Sequence, residues 1–218
     1  MIAVIDYGAA NLLSITRALE ACGATVRVTD RPEEALAADG VVLPGVGAAG
    51  AAMARLRQSG MDEALRQVAA EGRPLLGLCL GMQLFFERLE EDDAMGLGIL
   101  SGAVRLLPRG LKIPHMGWNT IMWTPGAPGT ELFAGLEPEI YTYFVHSYHC
   151  LPENALDGVA WTDYGGPICA AVAHGNTYGF QFHPEKSGAA GLRMLRAWLA
   201  RTEAGAEVVA AGESGGGA

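Results

Sequence analysis

Short apolar runs alternate with longer segments of mixed polarity along residues 1–90. Four of the runs are predicted strands, at Ile2–Ile5, 25–29, 41–43 and 74–78, and the first and last of them have the composition of buried strands. Between them, apolar residues recur at helical spacing, which predicts helices over 12–22, from Pro32, over 51–56 and over 61–70. Strands that alternate with helices indicate a parallel sheet, whose ligands gather at the carboxyl ends of the strands.

The pattern changes after Glu91. Strand-like segments then follow one another with turns and little helix between them: 104–107, 119–123, 141–147, 158–162, 168–174 and 178–182. We expect them to continue the sheet as partly antiparallel strands. The predicted fold class is therefore α/β, with a central, mostly parallel sheet that is flanked by helices and has an antiparallel extension.

One more helix is predicted over 189–201, because Leu192, Leu195 and Trp198 lie on one of its faces. Residues 202–218 are rich in Ala, Gly and Glu, and we expect this tail to be disordered at its end. Residues 1–201 contain no repeat and no sign of a second domain. The sequence thus predicts one domain followed by a short tail.

Composition narrows the class of protein. The 218 residues carry a net charge of −9, and Lys and Arg do not cluster, which argues against a nucleic-acid-binding surface. Four widely spaced cysteines are typical of reduced thiols in the cytosol. We see no basic segment of a signal peptide before the first strand, and no apolar run reaches the length of a membrane span. We therefore expect a cytoplasmic protein.

The segment Gly77-Leu78-Cys79-Leu80-Gly81 joins the strand at 74–78 to a predicted helix, in which Leu80, Leu84 and Leu89 lie near one face. The same spacing around serine forms the nucleophile elbow, a strained strand-to-helix turn that pushes one side chain out of the sheet. The glycines permit the tight turn, and a helix N-terminus favours the attacking thiolate. Cys79 is therefore a candidate nucleophile, and a buried, unreactive thiol is the alternative.

A cysteine nucleophile needs a base and a group that orients the base. Among the five histidines, His183 follows the last predicted strand, and Glu185 lies two residues further along. An imidazole held by a carboxylate at a strand end has the form of a general base and its orienter. Considered singly, each of the two is better explained as a surface side chain.

Backbone N–H groups at another predicted strand end are candidates for an oxyanion hole. The run Pro44-Gly45-Val46-Gly47 follows the strand at 41–43, and the N–H groups of Val46 and Gly47 lie within it. The N–H of Leu80, directly after the nucleophile, would be the other donor. An ordinary strand-end turn is the alternative explanation of this run.

His146, His149 and Cys150 are the only group that suggests a metal site. On a strand, residues three apart face opposite sides, so the two histidines would not converge on one ion. The sequence also lacks a P-loop and a Rossmann fingerprint. We expect no metal and no cofactor.

A resemblance to a known family rests on two motifs, Gly77-Leu78-Cys79-Leu80-Gly81-Met82-Gln83 and His183-Pro184-Glu185. Together they resemble the class I (triad) glutamine amidotransferases, which have a flavodoxin-like α/β fold. Further segments are similar to one branch, the glutaminase subunits of imidazole glycerol phosphate synthase: Asp6-Tyr7-Gly8, Pro44-Gly45-Val46-Gly47-Ala48, 112–119, 143–148 and 183–187. The match extends over about residues 1–200.

The resemblance implies a role for each matching residue. Cys79 would attack the side-chain amide of glutamine, with His183 as base and then acid and Glu185 holding His183. Hydrolysis of the γ-glutamyl thioester would give glutamate and ammonia. Four residues would hold the amino acid end of the substrate: Gln83, Glu91, Ser147 and Tyr148. A peptide of the 44–47 segment would rearrange to complete the oxyanion hole when the ligand of a partner subunit binds.

The resemblance also implies that partner. Ammonia would pass to a cyclase subunit, a (β/α)₈ barrel that forms a heterodimer with this chain. The cyclase would make imidazole glycerol phosphate and aminoimidazole carboxamide ribotide in histidine biosynthesis. Asn11, Trp118 and Lys186 match positions that face this subunit.

Three alternatives remain open. The first is another amidotransferase of the class, for anthranilate, aminodeoxychorismate or guanylate synthesis, although the segment 112–119 and Lys186 favour the histidine pathway. The second is a free-standing cysteine hydrolase or γ-glutamyl peptidase, which would turn over without a partner. The third is a non-catalytic binding module, which the presence of all three triad residues disfavours.

Overall fold

The computed structural model describes residues 1–8, 12–108 and 110–214, with side chains described as far as Thr202. The strands are β1 Ile2–Ile5, β2 Val26–Thr29, β3 Gly40–Leu43, β4 Leu75–Leu78, β5 Phe86–Leu89, β6 Ala94–Met95, β7 Leu100–Leu106, β8 His115–Met122, β9 Glu139–His146, β10 Tyr148–Pro152, β11 Gly158–Asp163, β12 Pro167–His174 and β13 Thr177–Phe180. The helices are α1 Leu12–Ala21, α2 Pro32–Ala37, α3 Ala49–Ser59, α4 Met61–Ala70, α5 Leu80–Gln83 and α6 Gly188–Ser214.

Within the described residues, nine strands form the central sheet in the order β2-β1-β3-β4-β13-β12-β11-β8-β9. The strands from β2 to β13 in this order pair in parallel, and those from β13 to β9 pair antiparallel. The α/β fold class with a parallel centre and an antiparallel extension is therefore confirmed. The carboxyl ends of β3, β4 and β13 lie side by side, which brings together the segments that carry the candidate chemistry.

Two apolar cores cover the two faces of the central sheet. Alternate residues of β1 belong to different cores, with Ala3 and Ile5 on one face and Ile2 and Val4 on the other. Helices α2, α3 and α4 pack on the first face, and α1 and α6 pack on the second. Because both faces are covered, the central strands are apolar throughout, as is usual for parallel sheets.

The helix that was predicted to follow Cys79 is wrong beyond its first turn. Helix α5 ends at Gln83, and Leu89 lies in strand β5. This strand belongs to a small second sheet in the order β10-β7-β5-β6, which the sequence did not predict. Phe85 and Phe86 are fully buried against it, so burial of both aromatic rings overrides the helical spacing of the leucines.

The last helix is longer than predicted. Helix α6 continues past the predicted end at Arg201 to Ser214, and the expected disorder at the end of the tail stays a prediction. Ala and Glu are among the strongest helix formers and this segment lacks Pro, which accounts for the difference. The division into a domain of residues 1–201 and a tail remains a prediction. In the described part of the chain, no helix combines the length and apolarity needed to cross a bilayer.

Candidate active site

Cys79 lies at the carboxyl end of β4 in a strained backbone conformation. Its φ of 53° and ψ of −108° are unusual for any residue other than glycine. The Cys79 N–H donates to the Phe180 carbonyl at the end of β13 (2.7 Å), which fixes the turn to the neighbouring strand. The structure thus has the elbow geometry that the glycine spacing predicts, although only a single helical turn follows it.

The two glycines of the elbow are needed for close approach. A Cβ on Gly81 would overlap the carbonyl of Leu43 in β3. A Cβ on Gly77 would lie 2.6 Å from the Phe85 ring and 2.7 Å from the Met82 nitrogen. Neither glycine has a positive φ, so the turn depends on the missing side chains rather than on left-handed backbone.

His183 follows β13 and is oriented by Glu185. The His183 Nδ1 lies 2.8 Å from Glu185 Oε1, and both side chains are buried. Because a carboxylate accepts, Nδ1 carries the hydrogen and Nε2 is left to face Cys79. The backbone is held as well, since the His183 N–H donates to the Tyr143 carbonyl and the His183 carbonyl accepts from the Ser187 hydroxyl.

The environment of His183 favours its protonated form. Burial alone would lower the pKa, but the interactions with Cys79 and Glu185 outweigh it and raise the pKa of His183 to about 9. At neutral pH this imidazole therefore carries a proton that it can give to a leaving amine. In the described residues, its Nε2 makes no hydrogen bond of ordinary geometry, and the Cys79 sulfur is the neighbour that favours a proton there.

The raised pKa of His183 predicts a specific response to loss of the sulfur. In Cys79→Ala, one of the two groups that favour the imidazolium is gone, so the pKa of His183 should fall below about 9. A group whose pKa rises on folding stabilises the fold fully below its ordinary pKa of 6.5, and this contribution is lost as pH rises through about 9. NMR titration of the His183 imidazole in the parent and in Cys79→Ala checks the expected fall in its pKa. An unchanged pKa would contradict the assigned interaction.

The candidate oxyanion donors are not both free. The Leu80 N–H donates to the Gly45 carbonyl at 3.4 Å, and the Tyr7 hydroxyl holds the neighbouring Pro44 carbonyl at 2.9 Å. Gly47 has a φ of 104°, and Val46 is partly exposed. Leu80 can therefore serve an oxyanion only after the Gly45 carbonyl moves away.

The space beside the base is small in this conformation. The cavity that reaches His183 from the 44–46 segment measures about 10 Å³, which is about the room that one water molecule needs. Its walls include Leu78 and Glu185. Neither Cys79 nor Gln83 lines this cavity, so it is distinct from the space where the candidate substrate residues lie.

The candidate substrate residues form a connected group beside Cys79. Gln83 Nε2 donates to the Tyr148 carbonyl (2.9 Å) and to Gln181 Oε1 (3.0 Å). Gln181 Nε2 in turn approaches the Cys79 sulfur at 3.7 Å. Because the Gln83 amide nitrogen is engaged by the protein, its carbonyl oxygen is the part that a substrate amine could meet.

Glu91, Ser147 and Tyr148 also lie near one another. Glu91 Oε2 accepts from the Ala49 N–H at the start of α3 (2.7 Å), and the Ser147 carbonyl accepts from the Leu107 N–H (2.9 Å). Partial burial, together with the carboxylate of Glu91, raises the pKa of the Tyr148 phenol. The structure thus places Glu91 beside the Ser147–Tyr148 segment.

Two of the three candidate interface residues, Trp118 and Lys186, contact the ring of Tyr143 in the edge strand β9. Trp118 is 56% exposed, and its ring meets the Tyr143 ring edge-on at 6.1 Å. Lys186 Nζ lies 5.7 Å from the centre of the same Tyr143 ring. Met116 is exposed on the same strand face as Trp118, so the surface is apolar. Asn11 lies outside the described residues.

Three groups at the site were not predicted from the sequence. Gln181 contacts the sulfur, the Val145 carbonyl lies 3.7 Å from the same sulfur, and the Tyr7 hydroxyl holds the 44–47 segment. Gln181 carried a signal, because it is a polar residue in the apolar run Gly179-Phe180-Gln181-Phe182 and is fully buried. A carbonyl such as that of Val145 carries no sequence signal.

Comparison with known proteins agrees with this geometry. A family model, "Glutamine amidotransferase class-I", matches residues 3–201. A relative from Moorella thermoacetica, named "Imidazole glycerol phosphate synthase subunit HisH", is 49% identical over 89% of this chain and 92% of its own. A relative of the same name from Symbiobacterium thermophilum is 48% identical over 90% of this chain and 92% of its own.

Solved structures agree on the fold. One described as "Crystal structure of glutamine amidotransferase" has a TM-score of 0.73 at 17% identity, covering 93% of this chain and all of its own. PurLQS from Thermotoga maritima gives a TM-score of 0.71 at 18% identity, covering 92% of this chain and 97% of that one. The sequence matches and the shared fold together establish that the chain belongs to the class-I glutamine amidotransferase family.

Proposed function

We propose that this chain is the glutaminase subunit of an imidazole glycerol phosphate synthase and works in histidine biosynthesis. The observation that carries the proposal is the pairing of His183 Nδ1 with Glu185 beside a strained Cys79, in a chain whose curated relatives bear the name HisH. Those relatives are subunits, so the activity belongs to a complex with a second chain.

The reaction on this chain takes place in two halves. The Cys79 thiolate attacks the carboxamide carbon of glutamine, and the His183 imidazolium gives its proton to the departing nitrogen, which leaves as ammonia. His183, now neutral, then takes a proton from water as the water attacks the γ-glutamyl thioester. The carbon–sulfur bond breaks, and glutamate leaves. One glutamine and one water thus give one glutamate and one ammonia.

The protein positions each partner of this reaction. Glu185 keeps the hydrogen of His183 on Nδ1, so Nε2 performs both proton transfers. Gln83, Glu91, Ser147 and Tyr148 hold the amino acid end of glutamine. The N–H of Leu80 and a peptide N–H from Val46 or Gly47 stabilise the tetrahedral oxyanion, after the Gly45 carbonyl has released Leu80.

The partner of this chain is proposed to be a cyclase with a (β/α)₈ barrel. The exposed face around Trp118 and Lys186 fits such a partner because it is apolar, lies beside the triad and includes the positive charge of Lys186. Ammonia passes across this contact to the cyclase and is used there for imidazole glycerol phosphate. Both subunits are proposed to work in the cytoplasm.

A glutaminase assay tests the proposal most directly. The purified chain should hydrolyse glutamine slowly, because the Leu80 N–H is occupied. Addition of the cyclase with its nucleotide ligand should raise the rate by about tenfold or more. The cyclase without its ligand is the control. A full rate without any partner would instead indicate a free-standing hydrolase, and stimulation only by a chorismate-binding partner would indicate another amidotransferase of the class.

A further inference from the structure

Two buried histidines outside the triad, His115 and His146, belong to a series of hydrogen bonds that starts at Asn119. The Asn119 side-chain oxygen accepts from the Thr120 N–H (2.8 Å), and its nitrogen donates to the Asp163 carbonyl (2.9 Å). These two backbone groups fix which end of the amide is which. The same nitrogen lies 3.3 Å from His115 Nε2, which must therefore accept a hydrogen.

The direction of the last hydrogen bond in this series is fixed in the same way. His146 Nδ1 lies 2.8 Å from the Tyr148 carbonyl, which can only accept, so Nδ1 carries the hydrogen. Between the two ends, His115 Nδ1 lies 3.0 Å from His146 Nε2. His115 already accepts at Nε2, so as a neutral ring it donates from Nδ1. Every hydrogen bond then runs in one direction, from Asn119 to Tyr148.

A charged ring would break this arrangement. An imidazolium at His146 would donate from Nε2, and His115 would then have to present a hydrogen to the Asn119 amino group. Burial agrees with neutral rings, since it is the main cause that lowers the pKa of His146 to about 3 and that of His115 to about 4. The neighbouring His115, His149 and His183 also lower the pKa of His146, against the Tyr148 hydrogen bond that raises it. His115 is also stacked between Phe144 (4.7 Å) and Tyr164 (3.9 Å), so its ring is fixed in place.

We propose that His115 and His146 are positioning residues, neutral and protonated on Nδ1, that hold the Tyr148 carbonyl in place for glutamine binding. The proposal rests on the proposed function because it takes the Ser147–Tyr148 segment as part of the glutamine site. The Tyr148 carbonyl accepts from His146 and from Gln83, and Gln83 leads through Gln181 to the Cys79 sulfur. Loss of the His115 bond would therefore loosen the substrate site without removing a reacting group.

The protonation pattern can be observed directly on the isolated chain. Neutral histidine in water favours the form protonated on Nε2, whereas both rings here should be protonated on Nδ1. Long-range ¹H–¹⁵N correlation spectra of the chain labelled in its histidines, recorded at neutral pH, distinguish the two forms and the imidazolium. His115→Phe and His146→Phe assign the two signals. A hydrogen on Nε2 of either ring, or a charged ring, would overturn the proposal.

A pair of variants at one position tests the effect on glutamine. His115→Phe keeps a ring between Phe144 and Tyr164 but removes the donor to His146. His115→Asn places an amide N–H near the former Nδ1 and keeps that donor. In the assembled complex, His115→Phe should raise KM for glutamine about tenfold and change kcat less than about threefold, and His115→Asn should restore most of the affinity. A role in packing alone would not give rescue by the smaller, polar residue.

Ammonia-dependent synthesis distinguishes a weakened glutamine site from a complex that has failed to fold. This activity should be unchanged in both variants, since it does not use the glutamine site, and it reports that the complex is folded. A KM within about twofold of the parent in a folded His115→Phe complex would overturn the positioning role. Absence of ammonia-dependent synthesis in the parent complex would instead refute the proposed function, and the spectra would still decide the protonation pattern.

Discussion

Cys79→Ala should abolish hydrolysis of glutamine, lowering the rate by about four orders of magnitude or more, because no other group at the site can form the thioester. Glutamine-dependent synthesis by the complex should stop with it. Ammonia-dependent synthesis should continue at the rate of the parent, since the cyclase reaction does not use the sulfur. Both syntheses are measured on the same purified complex, with glutamine or an ammonium salt as the nitrogen source.

A second cysteine provides the control for this prediction. Cys22 lies at the end of α1 with its sulfur 3.5 Å from the Leu192 carbonyl, on the face of the sheet covered by α1 and α6. In Cys22→Ala, glutamine-dependent and ammonia-dependent synthesis should both continue at the rates of the parent complex. Loss of ammonia-dependent synthesis in a folded Cys79→Ala complex would show that the residue has another role than the proposed nucleophile.

His183→Ala and Glu185→Gln should both lower glutaminase activity, but to different extents. In the proposed reaction, His183 transfers protons in both halves and Glu185 orients it, so removal of His183 should lower the rate about as much as loss of the nucleophile. Glu185 only orients the ring and stabilises its charge, and Gln keeps an oxygen that can accept from Nδ1. Glu185→Gln should therefore retain at least about tenfold more activity than His183→Ala.

Steady-state glutaminase assays in the presence of the liganded cyclase measure this difference. His174→Ala is a suitable control, because His174 also pairs with a carboxylate, that of Asp157 at 3.0 Å, but its side chain is largely exposed. It should have the activity of the parent. Equal losses in His183→Ala and Glu185→Gln would mean that Glu185 does more than orient the base.

Local spacing was sufficient to predict the elbow and the parallel strands. Gly77 and Gly81 lie within a few residues of Cys79, and their role depends on the turn itself. Strands β1, β3 and β4 are short apolar runs whose burial on both faces is visible in the sequence. Helix α5 was predicted too long, because Leu80 and Leu84 fit a helix equally well and only the second sheet decides against it.

The contacts that complete the site could not be predicted in this way. Gln181 meets Gln83 and the Cys79 sulfur only because β13 pairs beside β4, more than a hundred residues apart in the chain. The series of hydrogen bonds from Asn119 to the Tyr148 carbonyl likewise depends on the register of β8 with β9, which sets His115 opposite His146. Such long-range register has no signature in either strand alone. The occupied Leu80 N–H is a conformational property that the motif does not encode.

The segment 183–187, which follows β13, also covers part of an edge strand of the central sheet, and this affects solubility. In the described residues, β9 pairs only with β8, so it is one of the two edge strands of the central sheet, the other being β2. At the middle of this edge, the Tyr143 N–H donates to the Ser187 hydroxyl (3.0 Å) and the Tyr143 carbonyl accepts from the His183 N–H (2.9 Å). A free edge invites pairing with a strand of another molecule. The turn at 183–187, which carries the proposed base, therefore also shields this edge against edge-to-edge aggregation.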